Sequence, residues 1–229
     1  MSDTAGSWRQ FGSGPLSRAT ARVYTLLVVE ALLVLTTLPG AVPLLLLDRD
    51  ASNLPLYALC ALPVGPAVAA GLWTLRHQPL DLTDLRPAAV FWRGYRTNLV
   101  PVLRVWLPVL LLLTVEAVNL THLAVAGVPD WWAVPLIVLA VVVTLGGVNA
   151  LVITSLFAFR TRDVARLALY FLLRTPQVPL GSALLLLAAG TVTAVASEAV
   201  AALFGAVFVL ALLRVAGPMI DAIGREFTP

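Results

Sequence analysis

Residues 132–166 read WAVPLIVLAVVVTLGGVNALVITSLFAFRTRDVAR. The first part of this stretch, 132–159, contains no Asp, Glu, Lys or Arg. A helix needs about 20 apolar residues to cross the hydrocarbon of a bilayer, so this part is long enough to span a membrane with some tilt. Arg160, Arg162 and Arg166 follow directly. The stretch therefore predicts a transmembrane helix with arginines at one end.

The same pattern recurs along the whole chain. Its 229 residues are 60% hydrophobic and 12% charged, with a mean hydropathy of +0.94, which exceeds what a soluble surface can carry. We expect an all-α polytopic transmembrane helical bundle at 21–217, with cytoplasmic tails at 1–20 and 218–229. Six spans are predicted, at about 23–47, 54–75, 99–125, 132–159, 178–196 and 199–217.

The arginines are distributed unequally between the two sides of the predicted bundle. Fourteen of the fifteen lie at the ends or links of spans on one side, only Arg49 lies opposite, and the chain has no lysine. Because such an excess marks cytoplasmic loops, both termini are predicted to be cytoplasmic, and Trp131 and Trp132 suit the outer interface. The basic balance thus indicates topology, and no nucleic-acid partner is expected, since no basic face with interleaved aromatics is present.

Both longer cytoplasmic links are predicted to be amphipathic helices lying on the membrane, at about 86–98 and 161–175. Thr161 is a predicted cap, and Pro176 a predicted stop, of the second helix. The sequences at 96–101 and 174–179, RTNLVP and RTPQVP, match at four of six positions, and an internal duplication and chance both explain this. The helices either orient the spans and hold anionic lipid, or dock a cytoplasmic partner. The arginines concerned are Arg86, Arg93, Arg96, Arg162, Arg166 and Arg174.

Few polar side chains fall inside the predicted spans, and an unpaired ionisable group there is costly. Glu30 and Arg104 lie at similar predicted depths, about 12 and 8 Å from the cytoplasmic edge at 1.5 Å per residue. They form either a structural ion pair or a substrate or proton site. Glu116 and Asn119, with His122, face a vestibule or are solvated at the outer end of span three. Asn149 is expected to pack between helices, where its amide can bond a neighbouring helix.

Helix breakers interrupt the first two predicted spans. Pro63, Gly65 and Pro66 fall near the middle of span two, and Pro39, Gly40 and Pro43 in the outer half of span one. Proline removes a helical hydrogen bond, and broken backbone at membrane depth is tolerated where protein or a cavity satisfies it. Such breaks are either simple kinks or markers of a transporter binding site.

The sequence contains no common catalytic or cofactor motif. It has no Ser/His/Asp set at plausible depth, no metal-ligand spacing and no phosphate-binding loop with a Walker lysine. Cys60 is the single cysteine, so neither a disulfide framework nor a site with paired cysteines can form. We therefore expect no catalytic residues, no cofactor and no metal.

Two segments resemble the YesL-type family of bacterial integral membrane proteins. They are LPVGPAVAAGL at 62–72 and FWRGYRTN at 91–98, and residues 160–186 resemble the family's second cytoplasmic segment. Where the family has an Asn-Leu-Leu-Trp run in span one, this chain has Glu30-Ala31-Leu32-Leu33. The resemblance implies a small multi-pass protein of the bacterial plasma membrane, often encoded beside carbohydrate uptake genes. It implies no catalytic residues.

The leading hypothesis from sequence is a non-enzymatic accessory to solute uptake, with carbohydrate as the solute. This accessory would contact a membrane transporter subunit through its arginine-rich cytoplasmic face. The alternative is a small-solute transporter or channel in its own right, with a path past Glu30, Arg104, Asn149 and the break at 63–66. A membrane-embedded enzyme ranks third.

Overall fold

The structure is a computed structural model that describes residues 15–48, 50–79, 85–123 and 125–227. In these ranges the regular structure is helical and contains no strand, which confirms the all-α polytopic class. Among the described residues five helical stretches are long and apolar enough to cross a membrane, and the count is six if the bent pair of helices at 205–226 is taken as one span. Of the predicted features, residues 1–14 of the N-terminal tail, with Arg9, and also Arg49 and Ala124, lie outside the described residues.

The helices are numbered here in chain order, with short 3-10 turns at 51–53 and 130–132. They are α1 (Pro15–Leu46), α2 (Leu54–Cys60), α3 (Val64–His77), α4 (Pro87–His122), α5 (Ala133–Leu156), α6 (Thr161–Arg174), α7 (Gln177–Val195), α8 (Glu198–Ala202), α9 (Gly205–Val215) and α10 (Gly217–Glu226).

The first predicted surface helix is not a separate element. Helix α4 runs without interruption through 36 residues, a length of about 54 Å at 1.5 Å per residue, against about 30 Å of hydrocarbon. Phe91, Gly94 and Asn98 are buried, and the Asn98 side chain donates to the Ser155 carbonyl of α5 at 3.3 Å. The segment at 86–98 therefore packs into the bundle, because its apolar face contacts α3 and α5 rather than lipid.

The second predicted surface helix is present as α6. Val164, Ala168 and Phe171 form its buried face. Thr161 does not cap it: the preceding Arg160 takes the N-cap position, without a side-chain hydrogen bond. The helix ends before Pro176, as predicted.

The two similar sequences at 96–101 and 174–179 adopt different structures. The first lies inside α4, whereas the second spans the break between α6 and α7. The physical reason is the third position of each motif. Pro176 disfavours helical backbone at Thr175, whose φ is −125° and ψ 72°, because the proline ring clashes with the residue before it. Asn98 at the same position of the first motif lets the helix continue.

The sixth predicted span, 199–217, is broken in the structure. Helix α8 ends at Ala202, α9 covers 11 residues, and α10 is bent by 49° from α9. Pro218 lies in the first turn of α10, where its missing N–H costs nothing. Residues 217–226 form an amphipathic helix where a tail was predicted, and they bury Met219, Ile220 and Ile223.

The largest fully buried side chains lie at the arginine-bearing end of the bundle. They come from the end of α3, the start of α4, the end of α5, and helices α6 and α10. They are Leu72, Phe91, Ile153, Phe171, Met219 and Ile223. Elsewhere many large apolar side chains, such as Leu45, Val138 and Leu184, are exposed. A soluble protein would bury such groups, so these surfaces suit contact with lipid.

Close helix contacts depend on glycine. A Cβ at Gly94 would lie 2.6 Å from the Trp73 ring, and one at Gly65 would lie 2.7 Å from the Trp106 ring, so α3 and α4 each place a tryptophan over a glycine of the other. Gly40 of α1 meets the backbone of α2, since a Cβ there would lie 1.9 Å from the Cys60 carbonyl oxygen. Helix α1 continues through Pro39 and Pro43, so the interruption predicted in span one is absent.

Gly40→Ala is expected to destabilise the protein by about 3 kcal/mol, because a methyl group cannot fit against backbone without separating α1 from α2. Gly190→Ala is the matched control, since nothing lies within 4 Å of a Cβ at that helical, exposed position. Unfolding of both variants in mixed detergent, followed by circular dichroism, measures the difference. Equal unfolding midpoints for the two variants would contradict the close approach at Gly40.

Candidate functional site

Glu30 of α1 holds the start of α9. Its Oε2 accepts a hydrogen bond from the backbone N–H of Ala206, the second residue of α9, at 2.6 Å. The first N–H groups of a helix lack partners within the helix, and a carboxylate there also meets the positive end of the helix dipole. The second oxygen, Oε1, is buried and has no hydrogen-bond partner among the described residues. One oxygen of Glu30 is thus bonded to α9, and the other is buried without a partner among the described residues.

The predicted pair of Glu30 with Arg104 is not formed. Within the described ranges no ion pair links the two side chains, and Arg104 is exposed on α4. The buried Val102 and the partly buried Trp106 fix the rotation of this helix. Residue 104 lies about 200° around the helix from each of them, at 100° per residue. Arg104 therefore faces away from the bundle.

A cavity of about 270 Å³ lies between α1, α3, α5, α7, α8 and α9. Val64, the first residue of α3, and Gly205, the first residue of α9, both line it, as does Ala202, the last residue of α8. The helix breaks before α3 and before α9 therefore border one cavity. Its other walls are almost entirely apolar and come from Leu33, Val34, Thr37, Val68, Val148, Ser182, Leu185, Leu186, Ala189, Phe208, Val209 and Leu212.

Thr37 and Ser182 are the polar residues that line this cavity, and the Thr37 hydroxyl donates to the Leu33 carbonyl of its own helix. Ser182 is 1% exposed, it lines the cavity, and its hydroxyl has no partner within the part of the chain that the structure describes. Glu30 lies at the edge, because a Cβ on the lining residue Gly205 would be 3.4 Å from its Oε1. Sequence reasoning missed Ser182, although it is one of few polar residues in an apolar helix.

The chemistry of the cavity favours a solute that is mainly apolar and has one or two hydrogen-bond donors. Such a solute would bury its apolar part against the aliphatic walls and donate to Ser182 or Glu30. A sugar fits poorly, because each hydroxyl left without a partner in an apolar site costs about 1–3 kcal/mol.

The break at 61–63 is closed on its other side by α4. The indole Nε1–H of Trp106 donates to the Ala61 carbonyl at 3.1 Å, and the ring covers the buried Gly65. Pro63 occupies the N-cap of α3, and Pro66 is buried in its first turn. The predicted break motif therefore does interrupt the helix at 61–63, with Trp106 on one side and the cavity on the other.

Asn149 has a packing role. It is 1% exposed, and its Nδ2 donates to the Ala168 carbonyl of α6 at 3.3 Å. Gly146 and Gly147, which precede it, are also buried. The amide thus ties α5 to α6, and it is the neighbouring Val148 that lines the cavity.

The outer group of polar residues on α4 does not converge. Glu116 is buried, and its Oε2 has no partner among the described residues. Asn119 is exposed, and exposed His122 places Nδ1 2.9 Å from the Val118 carbonyl of its own helix. None of the three lines the cavity beside Glu30.

The six arginines of the predicted partner or lipid surface are all exposed: Arg86, Arg93, Arg96, Arg162, Arg166 and Arg174. Arg174 is engaged within the protein. It donates to the Tyr170 hydroxyl, and its Nη2 lies 2.7 Å from Glu226 Oε1 of α10. The Tyr170 hydrogen bond, and then the negative charge of Glu226, raise the pKa of Arg174 above its ordinary value.

Four of the other arginines, Arg93, Arg96, Arg162 and Arg166, form no ion pair inside the described ranges. Their charges remain available to a partner or to lipid.

Glu30→Ala is expected to destabilise the fold by about 2 kcal/mol, because it leaves the buried N–H of Ala206 without an acceptor. Glu30→Gln keeps an oxygen at that place and should lose less than half as much. Unfolding in mixed detergent compares the two variants with the unmodified protein. If Ala and Gln are equally destabilising, the hydrogen bond to α9 is not what Glu30 contributes.

No family model, no curated protein and no solved structure matches this chain. The resemblance to the YesL-type family therefore stays a prediction.

Proposed function

We propose that the protein is a membrane carrier for a small, mainly apolar solute with one or two hydrogen-bond donors. The observation that carries the proposal is that the helix breaks before α3 and before α9 both border the cavity beside Glu30. In transporters, discontinuous helices meet at the binding site, and irregular backbone at membrane depth is tolerated where it lines a cavity.

The chemistry of the cavity supports this proposal over a path for carbohydrate. Its walls are mainly aliphatic, the Ser182 hydroxyl lines it without a partner among the described residues, and Glu30 Oε1 lies beside the lining residue Gly205. Helix α9 is 11 residues long, about 16 Å at 1.5 Å per residue. It is therefore too short to cross the membrane alone, and its start lies inside the bundle, where a solute reaches it. That the protein is not an enzyme stays a prediction.

Ala189→Phe is expected to block solute binding, because Ala189 lines the cavity and a phenyl ring would fill it. Ala188→Phe is the matched control. Ala188 precedes Ala189 on α7, is exposed and does not line the cavity. The probe is a diazirine-bearing alkyl alcohol, and photolabelling of α7 and α9 is read by peptide mass spectrometry. Labelling should fall by at least about tenfold, or 1.4 kcal/mol, in Ala189→Phe alone.

Solutes that displace this probe would then be tested for uptake into vesicles containing the full chain. Flux that Ala189→Phe abolishes and Ala188→Phe preserves supports the carrier. Equal labelling of the two variants, or no flux above that of protein-free vesicles, contradicts it.

A second candidate function is an accessory role in solute uptake, which the exposed arginines favour. Arg93 and Arg96 on α4, with Arg162 and Arg166 on α6, leave four charges without an ion pair among the described residues. A transporter subunit with an acidic surface would complement them. This role needs the arginine-bearing end to face the cytoplasm, with both termini there, in a bacterial plasma membrane. Carbohydrate uptake fits this role rather than the cavity.

The variant Arg166→Cys in a Cys60→Ser background has a single cysteine, at position 166. This cysteine is expected to react with a membrane-impermeant maleimide in inverted vesicles and not in intact cells. Asp130→Cys in the same background should show the opposite pattern, because Asp130 precedes the start of α5 whereas Arg166 lies on α6, which follows the end of α5. A bifunctional crosslinker at position 166 then tests for a transporter subunit. Labelling of position 166 from outside would overturn both the orientation and the accessory role.

A further inference from the structure

A second cavity of about 270 Å³ is lined by three arginines from three helices. They are Arg22 of α1, Arg76 in the last turn of α3 and Arg214 in the last turn of α9. All three are exposed, and within the described residues none forms an ion pair or a side-chain hydrogen bond. Three like charges thus line one space, and none of the described residues that line it carries a carboxylate.

Helix dipoles explain only part of this arrangement. A cation in the last turn of a helix is stabilised by the dipole, which accounts for Arg76 and Arg214. Arg22 lies near the start of α1, where the dipole gives a cation no such benefit. Asp221 borders a neighbouring cavity together with Arg76, but the two form no ion pair in the part of the chain that is described. Among the described residues the charge of Arg22 thus has no partner, which favours an anion in this cavity.

We infer that this cavity binds a phosphate group, and in particular the phosphate of an anionic phospholipid. Guanidinium groups present paired N–H donors that match phosphate oxygens. Basic pockets between membrane helices are suited to anionic headgroups. Leu26, Leu75 and Leu213 line the same cavity, which provides apolar surface beside the charges for the start of an acyl chain. Inorganic phosphate or a soluble phosphate ester shares the headgroup chemistry but makes no use of the leucines.

The site is separate from the cavity beside Glu30. Leu210, Leu213 and Arg214 of α9 line the cavity with the three arginines, whereas Phe208 and Val209 line the cavity beside Glu30. Phosphate binding therefore does not depend on the carrier function, and each can fail alone.

The test measures adducts of the purified full chain by native mass spectrometry. The added probes are phosphatidylglycerol, phosphatidylcholine and, separately, inorganic phosphate. The variants Arg22→Gln, Arg76→Gln and Arg214→Gln are made singly and together. The matched control combines Arg93→Gln, Arg96→Gln and Arg162→Gln, which removes the same charge from exposed arginines outside the cavity.

Each single variant should weaken phosphatidylglycerol binding about fivefold, the equivalent of roughly 1 kcal/mol per basic residue near a membrane surface. The control triple should stay within about twofold of the unmodified protein, because its arginines do not reach the cavity. The single variants keep the test valid if the triple variant does not fold.

Selective binding of phosphatidylglycerol over phosphatidylcholine, lost in the cavity variants, supports the lipid as the source. Binding of inorganic phosphate with the same dependence, without lipid binding, keeps the phosphate site but rejects the lipid. The proposal is overturned if the cavity variants bind both probes like the unmodified protein, or if the control triple loses as much.

Discussion

Backbone groups released where a helix breaks inside an apolar bundle must find partners within the protein, and two such bonds organise this fold. Trp106 donates to the Ala61 carbonyl at the break between α2 and α3. Glu30 accepts from the Ala206 N–H at the start of α9. In lipid an unpaired group costs several kcal/mol, because no water replaces the missing partner. The positions of α4 against α2 and of α1 against α9 follow from these two bonds.

The two ends of the bundle differ in how they are held together. At the arginine-bearing end, Asn98 joins α4 to α5 and Asn149 joins α5 to α6. Phe91 and Phe171 are fully buried there. Such side-chain amides specify one packing arrangement, because any other leaves them without partners. The opposite parts of the helices expose leucine and valine, as lipid contact requires. The arginines therefore project from the end of the bundle that holds the largest fully buried side chains.

Hydrophobicity was sufficient to predict the class and most of the spans, because length and apolarity alone determine whether a helix can cross a bilayer. The continuity of α4 was not predictable, since it depends on Asn98 meeting Ser155, 57 residues away. The break before α9 depends on Glu30, 176 residues from Ala206. The outward direction of Arg104 required knowledge of how α4 is rotated. Helix α10 was predictable in principle, because Met219, Ile220 and Ile223 have helical spacing.

Helix α9 connects the two cavities, and this has a thermodynamic consequence. Glu30 accepts a hydrogen bond from its start. Its residues Phe208 and Val209 line the cavity beside Glu30, and Arg214 lines the cavity with the three arginines. Each proposed site can be filled without the other, but occupants of both would share this one short helix, so a shift of α9 that favoured one occupant would alter the affinity for the other. Coupling of this kind is reciprocal by necessity. If a bound phosphate changes the affinity for the solute by some factor, the bound solute changes the affinity for the phosphate by the same factor. A rigid α9 would give no coupling, whereas a displaced α9 would pivot at its 49° bend with α10, which lies at Ala216, two residues before Pro218.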